Sequence, residues 1–267
     1  TRKVLEQGEW NGEIAQLRKD GSALTAEAHW TLLRDEQQQP DAILAINTDI
    51  TERKAAEREI QQLAFYDHLT GLPNRQLLRD RLAHALAIEE RSRQVGALLF
   101  IDVDNFKTLN DTLGHAIGDL LLQQIAQRLQ TCLRKGDTLA RLGGDEFVIV
   151  LENLASTPDE AATLATAVGE KILASFAAPF QLANYGHHCT SSIGVTLFND
   201  QPVTPDELLQ RADLAMYQSK AHGRNALRFF DPAMQAVVAA RAELEADLRK
   251  ALQEQAFELH YQAQVDS

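Results

Sequence analysis

The sequence predicts an α+β fold in which a βαββαβ unit forms one central sheet, with antiparallel strands in it and helices packed on one side. From residue 67 onward, apolar runs of strand length alternate with segments that carry apolar residues every three or four positions. Two short strand-like runs also flank Gly143-Gly144, which is typical of a hairpin. The same order of elements occurs in ferredoxin-like folds.

Local patterns predict each element of this unit. The segment 75–93 carries leucines at helical spacing. The segment 95–103 is apolar without interruption and has the length of a strand, so we expect it at the centre of the sheet. The other predicted elements are a helix over 120–133 and strands over 138–142, 147–151 and 189–198.

Two further helices are predicted from their first residues. The segments 157–160 and 204–207 both have the order Thr-Pro-Asp-Glu. In each, the threonine is placed to cap the helix, proline suits the first helical position, and glutamate lies at the third. We therefore expect helices to begin after Thr157 and Thr204.

The first fifty residues predict short strands joined by polar turns, including a hairpin turn at 19–22. A charged run then follows Thr51, which is a plausible N-cap. The apolar stripe of this helix is thin, because it contains only Ile60, Leu63 and Ala64. Such a stripe favours pairing with another helix over burial in a globular core.

Composition narrows the class of protein. The chain has 267 residues, 45% of them apolar, and a formal net charge of −12. Such acidity argues against a general nucleic-acid partner, although metal ions can neutralise the charge around a small phosphorylated ligand. Cys132 and Cys189 form no CxxC pair, which favours a reducing cytoplasmic location. No apolar run is long enough to span a bilayer, so we expect no membrane contact within this chain and any anchor to lie outside it.

Acidic residues fall at two informative places. Asp102 and Asp104 end the predicted central strand, and Asp145 and Glu146 follow the glycines of the hairpin. If these strands are antiparallel neighbours, the strand end and the hairpin tip lie close together, and the carboxylates need a counter-charge. Mg²⁺ suits such oxygen ligands, and two such ions assist phosphoryl transfer. The alternative for an isolated Asp-Glu pair is a solvated turn.

Polar and basic residues complement the acidic clusters. Lys107, Lys220 and Arg224 are candidates for holding phosphate oxygens. Asn110 and Asp119 are candidates for reading the edge of a base. The alternatives are a basic last turn that complements the helix dipole and polar residues that cap helices or form turns.

Several motifs in a fixed order resemble those of the GGDEF diguanylate cyclases. The motifs are 67–75 (DHLTGLPNR), 101–107 (IDVDNFK) with Asn110-Asp111, 114–119 (GHAIGD), 141–147 (RLGGDEF), and 212–220 (ADLAMYQSK) with 223–225 (GRN). The resemblance implies a palm-like fold. It also implies that two GTP molecules are condensed to cyclic di-GMP and pyrophosphate, one held by each chain of a homodimer.

The resemblance assigns roles to the matching positions, all of which agree in residue type. It implies two Mg²⁺ ions per active site, for which Mn²⁺ can substitute. The implied metal ligands are Asp102, Asp145, Glu146 and the Val103 carbonyl, and the implied catalytic residues are Asp145, Glu146 and Lys107. The implied substrate-binding residues are Phe106, Asn110, Asp119, Lys220 and Arg224.

Arg134 and Asp137 resemble the RxxD site at which cyclic di-GMP inhibits the family's enzymes. Members often add an arginine from the following helix. The segment 159–176 contains Lys171 but no arginine, so we expect weaker product binding or completion by another surface.

The flanks resemble other signalling modules. Residues 1–51 resemble the C-terminal part of a PAS sensor domain, and 52–66 a signalling helix that leads to the cyclase-like segment 67–230. Residues 231–267 resemble a linker helix and the opening of an EAL phosphodiesterase domain, with Ala263 where proline is usual. The catalytic carboxylates of an EAL domain would lie beyond Ser267, so we expect no hydrolysis of cyclic di-GMP by this chain.

Two other hypotheses stay open at this point. The first is a regulatory GGDEF module that binds GTP or cyclic di-GMP and controls an EAL domain without turnover. The second is a dimerisation scaffold built around the charged helix, which gives the ordered acidic motifs no purpose.

Overall fold

A computed structural model of the chain describes residues 2–183, 185–199, 203–232 and 251. The chain divides into two compact units, residues 1–64 and 65–267. Within the described ranges, no helix is both long and apolar enough to cross a bilayer. The predicted opening of an EAL domain in 231–267 lies outside the described residues apart from positions 231, 232 and 251.

The first unit is a three-stranded antiparallel sheet with a short helix before it and a longer helix after it. The strands follow chain order and are longer than expected, because tight turns join them. Trp10 and Trp30 pair across the first two strands, with ring centroids 5.1 Å apart. The elements are α1 (Arg2–Gln7), β1 (Glu9–Leu17), β2 (Ala23–Arg34), β3 (Pro40–Asp49) and α2 (Thr51–Phe65).

Helix α2 begins at Thr51, but Thr51 does not cap it. The Thr51 hydroxyl accepts a hydrogen bond from the Thr25 N–H, while Asp49 Oδ1 accepts one from the Thr51 N–H. The cap prediction was therefore wrong, because the carboxylate two residues earlier supplies the acceptor. Ile60 and Leu63 are 65% and 69% exposed. Pairing of this stripe with another helix stays a prediction.

The second unit contains a five-stranded sheet in the order β10-β9-β4-β6-β5. Its strands are β4 (Val95–Val103), β5 (Thr138–Gly143), β6 (Glu146–Ala155), β9 (Ser191–Phe198) and β10 (Leu227–Phe229), and a separate hairpin is formed by β7 (Phe180–Leu182) and β8 (Tyr185–His187). The neighbours among β9, β4, β6 and β5 are antiparallel, and β10 runs parallel to β9. The four antiparallel strands confirm the predicted ferredoxin-like βαββαβ unit.

Helices cover both faces of this sheet, so the prediction of one covered face was wrong. The helices are α3 (Arg75–Ser92), α4 (Phe106–Leu113), α5 (His115–Cys132), α6 (Pro158–Phe176) and α7 (Pro205–Ala221). Helices α4, α5 and α6 pack on the face that carries Leu99 and Ile101. Helices α3 and α7 pack on the face that carries Leu98 and Phe100. All nine residues of β4 are buried, as a strand covered on both faces requires.

The two threonine caps are confirmed. Thr157 accepts a hydrogen bond from the Glu160 N–H, and Thr204 accepts one from the Glu207 N–H. Helix α4 and the short strands β7, β8 and β10 were not predicted. Three-residue strands show no usable alternation, and α4 is only eight residues long.

Candidate active site

The end of β4 and the tip of the β5–β6 hairpin meet at the candidate site. Asp102 is the register partner of Glu146 across the β4–β6 ladder. The Val103 N–H points to the Asp145 carbonyl, with 3.4 Å between nitrogen and oxygen. Antiparallel pairing therefore brings Asp102, Val103, Asp145 and Glu146 together, although these residues come from segments about forty positions apart in the sequence.

The hairpin tip is held by a buried arginine. Gly143 and Gly144 have φ of 138° and 52°, a backbone conformation that favours glycine. Arg141 Nε and Nη2 donate to the Gly144 carbonyl at 3.1 and 2.7 Å. Arg141 Nη1 also donates to both carboxylate oxygens of Asp67, at 2.8 and 2.9 Å. One guanidinium thus ties the loop before α3 to the turn that carries the acidic pair.

The sequence analysis gave Asp67 and Arg141 no role of their own. Burial by itself raises the pKa of Asp67, but hydrogen bonds from Thr70 and then from Arg141 outweigh it and lower the pKa below its ordinary value. One feature of the sequence could have predicted this ion pair. Arg141 is a charged residue inside an otherwise apolar strand, and a buried charge requires a partner.

Asp102 is buried, with 6% of its surface exposed. Its Oδ1 atom makes no hydrogen bond of acceptable geometry to any described residue. The Lys220 ammonium lies 2.6 Å from this oxygen and forms an ion pair with it. Burial raises the pKa of Asp102 to about 6, Lys220 opposes the shift, and the charges of Asp145 and Asp104 add to it.

Two residues outside the predicted set extend the charged cluster. Burial raises the pKa of Glu146, the Asp213 charge adds to the shift, and Arg75 opposes it. Burial also raises the pKa of Asp213, which Lys220 opposes, although Asp213 keeps contact with solvent. Both Asp213 and Arg75 lie inside motifs quoted above, but their spacing does not predict that they lie beside Glu146.

Asp104 lies near Asp102 but is occupied by hydrogen bonds. It accepts from the hydroxyls of Thr190 and Ser192 at 2.6 and 2.8 Å, and from the Asn225 N–H at 3.2 Å. These bonds tie the end of β4 to β9 and to the turn after α7. Asp104 is therefore a structural anchor, and the open acidic group consists of Asp102, Asp145 and Glu146.

A second group of predicted residues meets where α4 faces α5. Asn110 Oδ1 is buried and has no hydrogen-bond partner among the described residues. A Cβ atom built on Gly118 would lie 1.9 Å from this oxygen and 3.2 Å from Phe106 Cζ. Gly118 therefore leaves the space that Asn110 and Phe106 occupy, and Asp119 follows it on the exposed side of α5.

Lys107 and Arg224 are exposed, and their side chains form no ion pair or hydrogen bond with the rest of the described chain. Lys107 lies in the first turn of α4, whose N-cap Asn105 has φ 60° and makes no side-chain cap. Of the predicted phosphate-binding side chains, the structure brings only Lys220 into contact with the carboxylates.

The predicted inhibitory pair is bonded to itself. Arg134 Nε and its backbone N–H donate to the two oxygens of Asp137, at 3.0 and 3.1 Å, and Arg134 Nη2 donates to the Glu152 carbonyl. A cavity of about 330 Å³ beside this pair also contains Arg81 and Lys135. Lys171 does not line it, because its ammonium donates to backbone carbonyls at the end of α5.

A larger cavity of about 630 Å³ lies on another side of α4. It shares Val103, Asp104 and Phe106 with the candidate site but contains none of the open carboxylates. Its walls are mostly apolar, from α4, the end of α6 and residues 187–190. We therefore place the candidate site at the hairpin tip.

The open carboxylates fit a divalent cation that shares its coordination with a ligand. No group of three or more histidine, cysteine, aspartate or glutamate side chains in the described part of the chain forms a closed metal site. An Mg²⁺ site typically has one or two carboxylates and completes its shell with water and substrate phosphates. Asp102, whose buried Oδ1 has Lys220 as its only polar partner among the described residues, and the adjacent Asp145 match that donor set.

Replacing Asp102 by asparagine is expected to raise the free energy of unfolding at about pH 8 by about 1–2 kcal/mol. The folded-state pKa of about 6 exceeds the ordinary value of 3.8, so the native chain loses stability as pH rises through this interval. Denaturant unfolding at about pH 8 and about pH 5 checks this, because the gain should shrink at the lower pH, where the native carboxyl is protonated. The same gain in stability at both pH values, or a loss of stability at about pH 8, contradicts this prediction.

Comparison with known proteins agrees with this architecture. The family model described as "Diguanylate cyclase, GGDEF domain" matches residues 64–226. MucR of Pseudomonas aeruginosa, a bifunctional diguanylate cyclase/cyclic di-GMP phosphodiesterase, is 43% identical over 227 residues, which cover 84% of this chain and 32% of MucR. The chain spans about a third or less of the length of the curated relatives it matches.

Solved structures show the same fold. The isolated GGDEF domain of TpbB from Pseudomonas aeruginosa superposes with a TM-score of 0.61 at 39% identity, covering 65% of this chain and 99% of that domain. The coiled coil and GGDEF domain of DgcB from Caulobacter crescentus, in complex with c-di-GMP, gives a TM-score of 0.60 at 26% identity, covering 67% of this chain and 93% of that one. By its family model, its relatives and its fold, the chain belongs to the GGDEF family of diguanylate cyclase domains.

Proposed function

We propose that the second unit condenses two GTP molecules into cyclic di-GMP and pyrophosphate. The observation that carries this proposal is the meeting of Asp102 with Asp145 and Glu146 at the end of β4, where the only polar partner of the buried Asp102 Oδ1 among the described residues is the Lys220 ammonium. This is the arrangement that a cation-dependent phosphoryl transfer requires. Membership of the GGDEF family supports it.

Mg²⁺ is the proposed cofactor, and Asp102, the Val103 carbonyl, Asp145 and Glu146 are its proposed ligands. When bound, it supplies electrostatic stabilisation of the charge on the reacting phosphate and lowers the pKa of the attacking hydroxyl. The chain itself holds the ligands in place through the β4–β6 ladder and through Arg141 at the hairpin turn. Lys107, Lys220 and Arg224 are the proposed contacts of the triphosphate.

The facing residues of α4 and α5 around Asn110, Gly118 and Asp119 are the proposed guanine site. Asn110 Oδ1 is a buried acceptor without a partner in the described chain, and a guanine N–H group would satisfy it. Asp119 would accept from the N1–H and the exocyclic amine of the same base. Phe106 lies close to the same glycine, since a Cβ on Gly118 would be 3.2 Å from Phe106 Cζ.

Two chains are proposed to act together. Each would hold one GTP, and each 3′-hydroxyl would attack the α-phosphate bound by the other chain. One chain cannot close the ring by itself, so pairing belongs to the mechanism and not to stability alone. The exposed stripe of α2, with Ile60 and Leu63, is a candidate for promoting this pairing.

Product control is proposed at Arg134 and Asp137, where cyclic di-GMP would have to compete with the existing bond between the two residues. Arg81 and Lys135 line the same cavity and supply positive charge in place of the arginine that helix α6 lacks.

Replacing Gly118 by alanine is expected to raise the KM for GTP by about tenfold. The added Cβ would lie 1.9 Å from Asn110 Oδ1 and would force this side chain out of its position. Initial rates across a range of GTP concentrations measure the change. The control is Gly186→Ala in β8, outside both proposed sites, where the nearest atom to a Cβ is Pro179 Cβ at an ordinary contact distance of 3.7 Å. A KM that is unchanged in the Gly118 variant removes Asn110 from the base site.

Chromatography of the reaction products tests the proposed function. Incubation with GTP and Mg²⁺ is expected to yield cyclic di-GMP and pyrophosphate, and ATP is expected to yield no cyclic product. Binding of GTP without turnover favours the alternative of a regulatory module. That alternative has support from MucR, a longer protein whose name includes a cyclic di-GMP phosphodiesterase activity.

A further inference from the structure

Lys220 lies where a cation held by Asp102 would lie. Its ammonium forms an ion pair at 2.6 Å with Asp102 Oδ1, a buried oxygen that has no other polar partner among the described residues. We propose that Lys220 is the counter-charge of Asp102 before substrate arrives, and that a divalent cation must displace it. This inference rests on the proposed function, because it concerns the same cation site.

The surroundings of Asp102 explain why a counter-charge is needed. The residue is 6% exposed. Burial disfavours its ionised form, and the nearby negative charges of Asp145 and Asp104 disfavour it further, so all three raise its pKa. An isolated buried carboxylate is costly, whereas an ion pair with a nearby ammonium offsets part of that cost. Lys220 thereby offsets part of the cost of the buried negative charge of Asp102.

A lysine is suited to leave this position. Its ammonium is a compact charge on a flexible four-carbon stem, and the Lys220 side chain is 31% exposed, so it can withdraw to solvent. Two charges that compete for one oxygen repel strongly at contact distance. We therefore expect a divalent cation that binds Asp102 Oδ1 to displace the ammonium.

The backbone next to Lys220 is fixed, so the exchange is confined to its side chain. Ser219 Oγ donates to the Ala226 carbonyl at 2.7 Å, and the Arg224 N–H donates to the Ser219 carbonyl at 3.1 Å. The Asn225 N–H then bonds to Asp104. With the end of α7 held in this way, a displaced ammonium stays beside the site and becomes available to phosphate oxygens of the nucleotide.

Removing Lys220 therefore has opposite effects on the two ligands. The cation alone no longer competes with an ammonium, so it should bind more tightly. The nucleotide loses a positive contact, so it should bind more weakly. A lysine that only positions Asp102 predicts weaker binding of the cation, and a lysine that only contacts phosphate predicts no change for the cation.

The test is a titration with Mn²⁺ in the absence of nucleotide, with free Mn²⁺ followed by electron paramagnetic resonance. Lys220→Met is expected to tighten Mn²⁺ binding by about fivefold. The matched control is Lys54→Met, which removes the same charge from a lysine of similar exposure, 28%, in an ion pair of the same length, 2.6 Å to Glu13. Lys220→Gln serves as a second neutral replacement, and circular dichroism checks that each variant is folded.

The outcomes separate this inference from the proposed function. Tighter Mn²⁺ binding by both Lys220 variants, but not by Lys54→Met, supports displacement of Lys220 by the cation. Weaker GTP binding by the same Lys220 variants supports a contact between the displaced ammonium and the nucleotide. Unchanged or weaker Mn²⁺ binding overturns the inference and leaves the cation site intact. If neither the natural chain nor any variant binds Mn²⁺, the inference and the proposed cation site both fail.

Discussion

Replacing Asp145 by asparagine is expected to lower the rate of cyclic di-GMP formation by about 10³-fold, equivalent to about 4 kcal/mol in the activation barrier. Asp145 is a proposed cation ligand at the hairpin tip, and its backbone carbonyl lies beside the Val103 N–H. Asparagine keeps the shape of the side chain but loses the negative charge that holds a hard cation. Initial rates at saturating GTP and Mg²⁺ measure the effect.

The control for this variant is Asp80→Asn on α3. Asp80 is exposed, and its recorded contact is a long one of 3.4 Å from Gln76, so the substitution removes the same charge without touching the site. We expect its rate to stay within about twofold of the natural chain. An Asp145→Asn variant that retains full activity while folded would remove the hairpin carboxylate from the mechanism.

Replacing Arg141 by alanine is expected to lower the free energy of unfolding of the second unit by about 3–5 kcal/mol. The Arg141 and Asp67 side chains are 9% and 13% exposed, so the substitution leaves a buried carboxylate without its partner. It also removes both donors from the Gly144 carbonyl at the turn. We therefore expect cyclase activity to fall together with stability.

Two probes distinguish this local effect from a general one. The chain has two tryptophans, Trp10 and Trp30, and both lie in the first unit, so their fluorescence reports that unit alone. Far-ultraviolet circular dichroism reports both units. For Arg141→Ala, the unfolding midpoint measured by circular dichroism should fall, whereas the midpoint measured by tryptophan fluorescence should stay unchanged.

An exposed arginine supplies the comparison for Arg141. Arg79 pairs with Asp206 at 2.6 Å, but these side chains are 48% and 62% exposed. Arg79→Ala should cost about 1 kcal/mol or less, because water replaces an exposed ion pair. If the Arg79 and Arg141 variants lose the same free energy of unfolding, burial is not the reason that the Arg141–Asp67 ion pair stabilises the fold.

The fold was predictable where pattern and packing agree. The uninterrupted apolar run of β4 indicated a central strand, and all nine of its residues are buried. The same run also implied two covered faces, yet we expected helices on one side because the core βαββαβ unit alone has that arrangement. Helices α3 and α7, which lie outside that core, cover the second face. Their placement depends on tertiary packing and not on local periodicity.

The part of the site that was predictable is the part formed by neighbouring strands. Asp102 and Glu146 face one another because β4 and β6 are antiparallel neighbours. The contact of Lys220 with Asp102 depends on how α7 packs on β9, and no local pattern encodes that. The Arg141–Asp67 pair joins a strand to a preceding loop, again through tertiary structure. Spacing in the sequence therefore indicated candidate residues, and the fold determined which of them touch.

The dependence of the initial rate on protein concentration tests the central claim most directly. With GTP and Mg²⁺ saturating, the account predicts cyclic di-GMP as the product and a rate that rises with about the square of chain concentration while pairing is incomplete. Chains that bind GTP and Mg²⁺ but form no cyclic di-GMP at any concentration would contradict the assignment of a catalytic role to Asp102, Asp145 and Glu146.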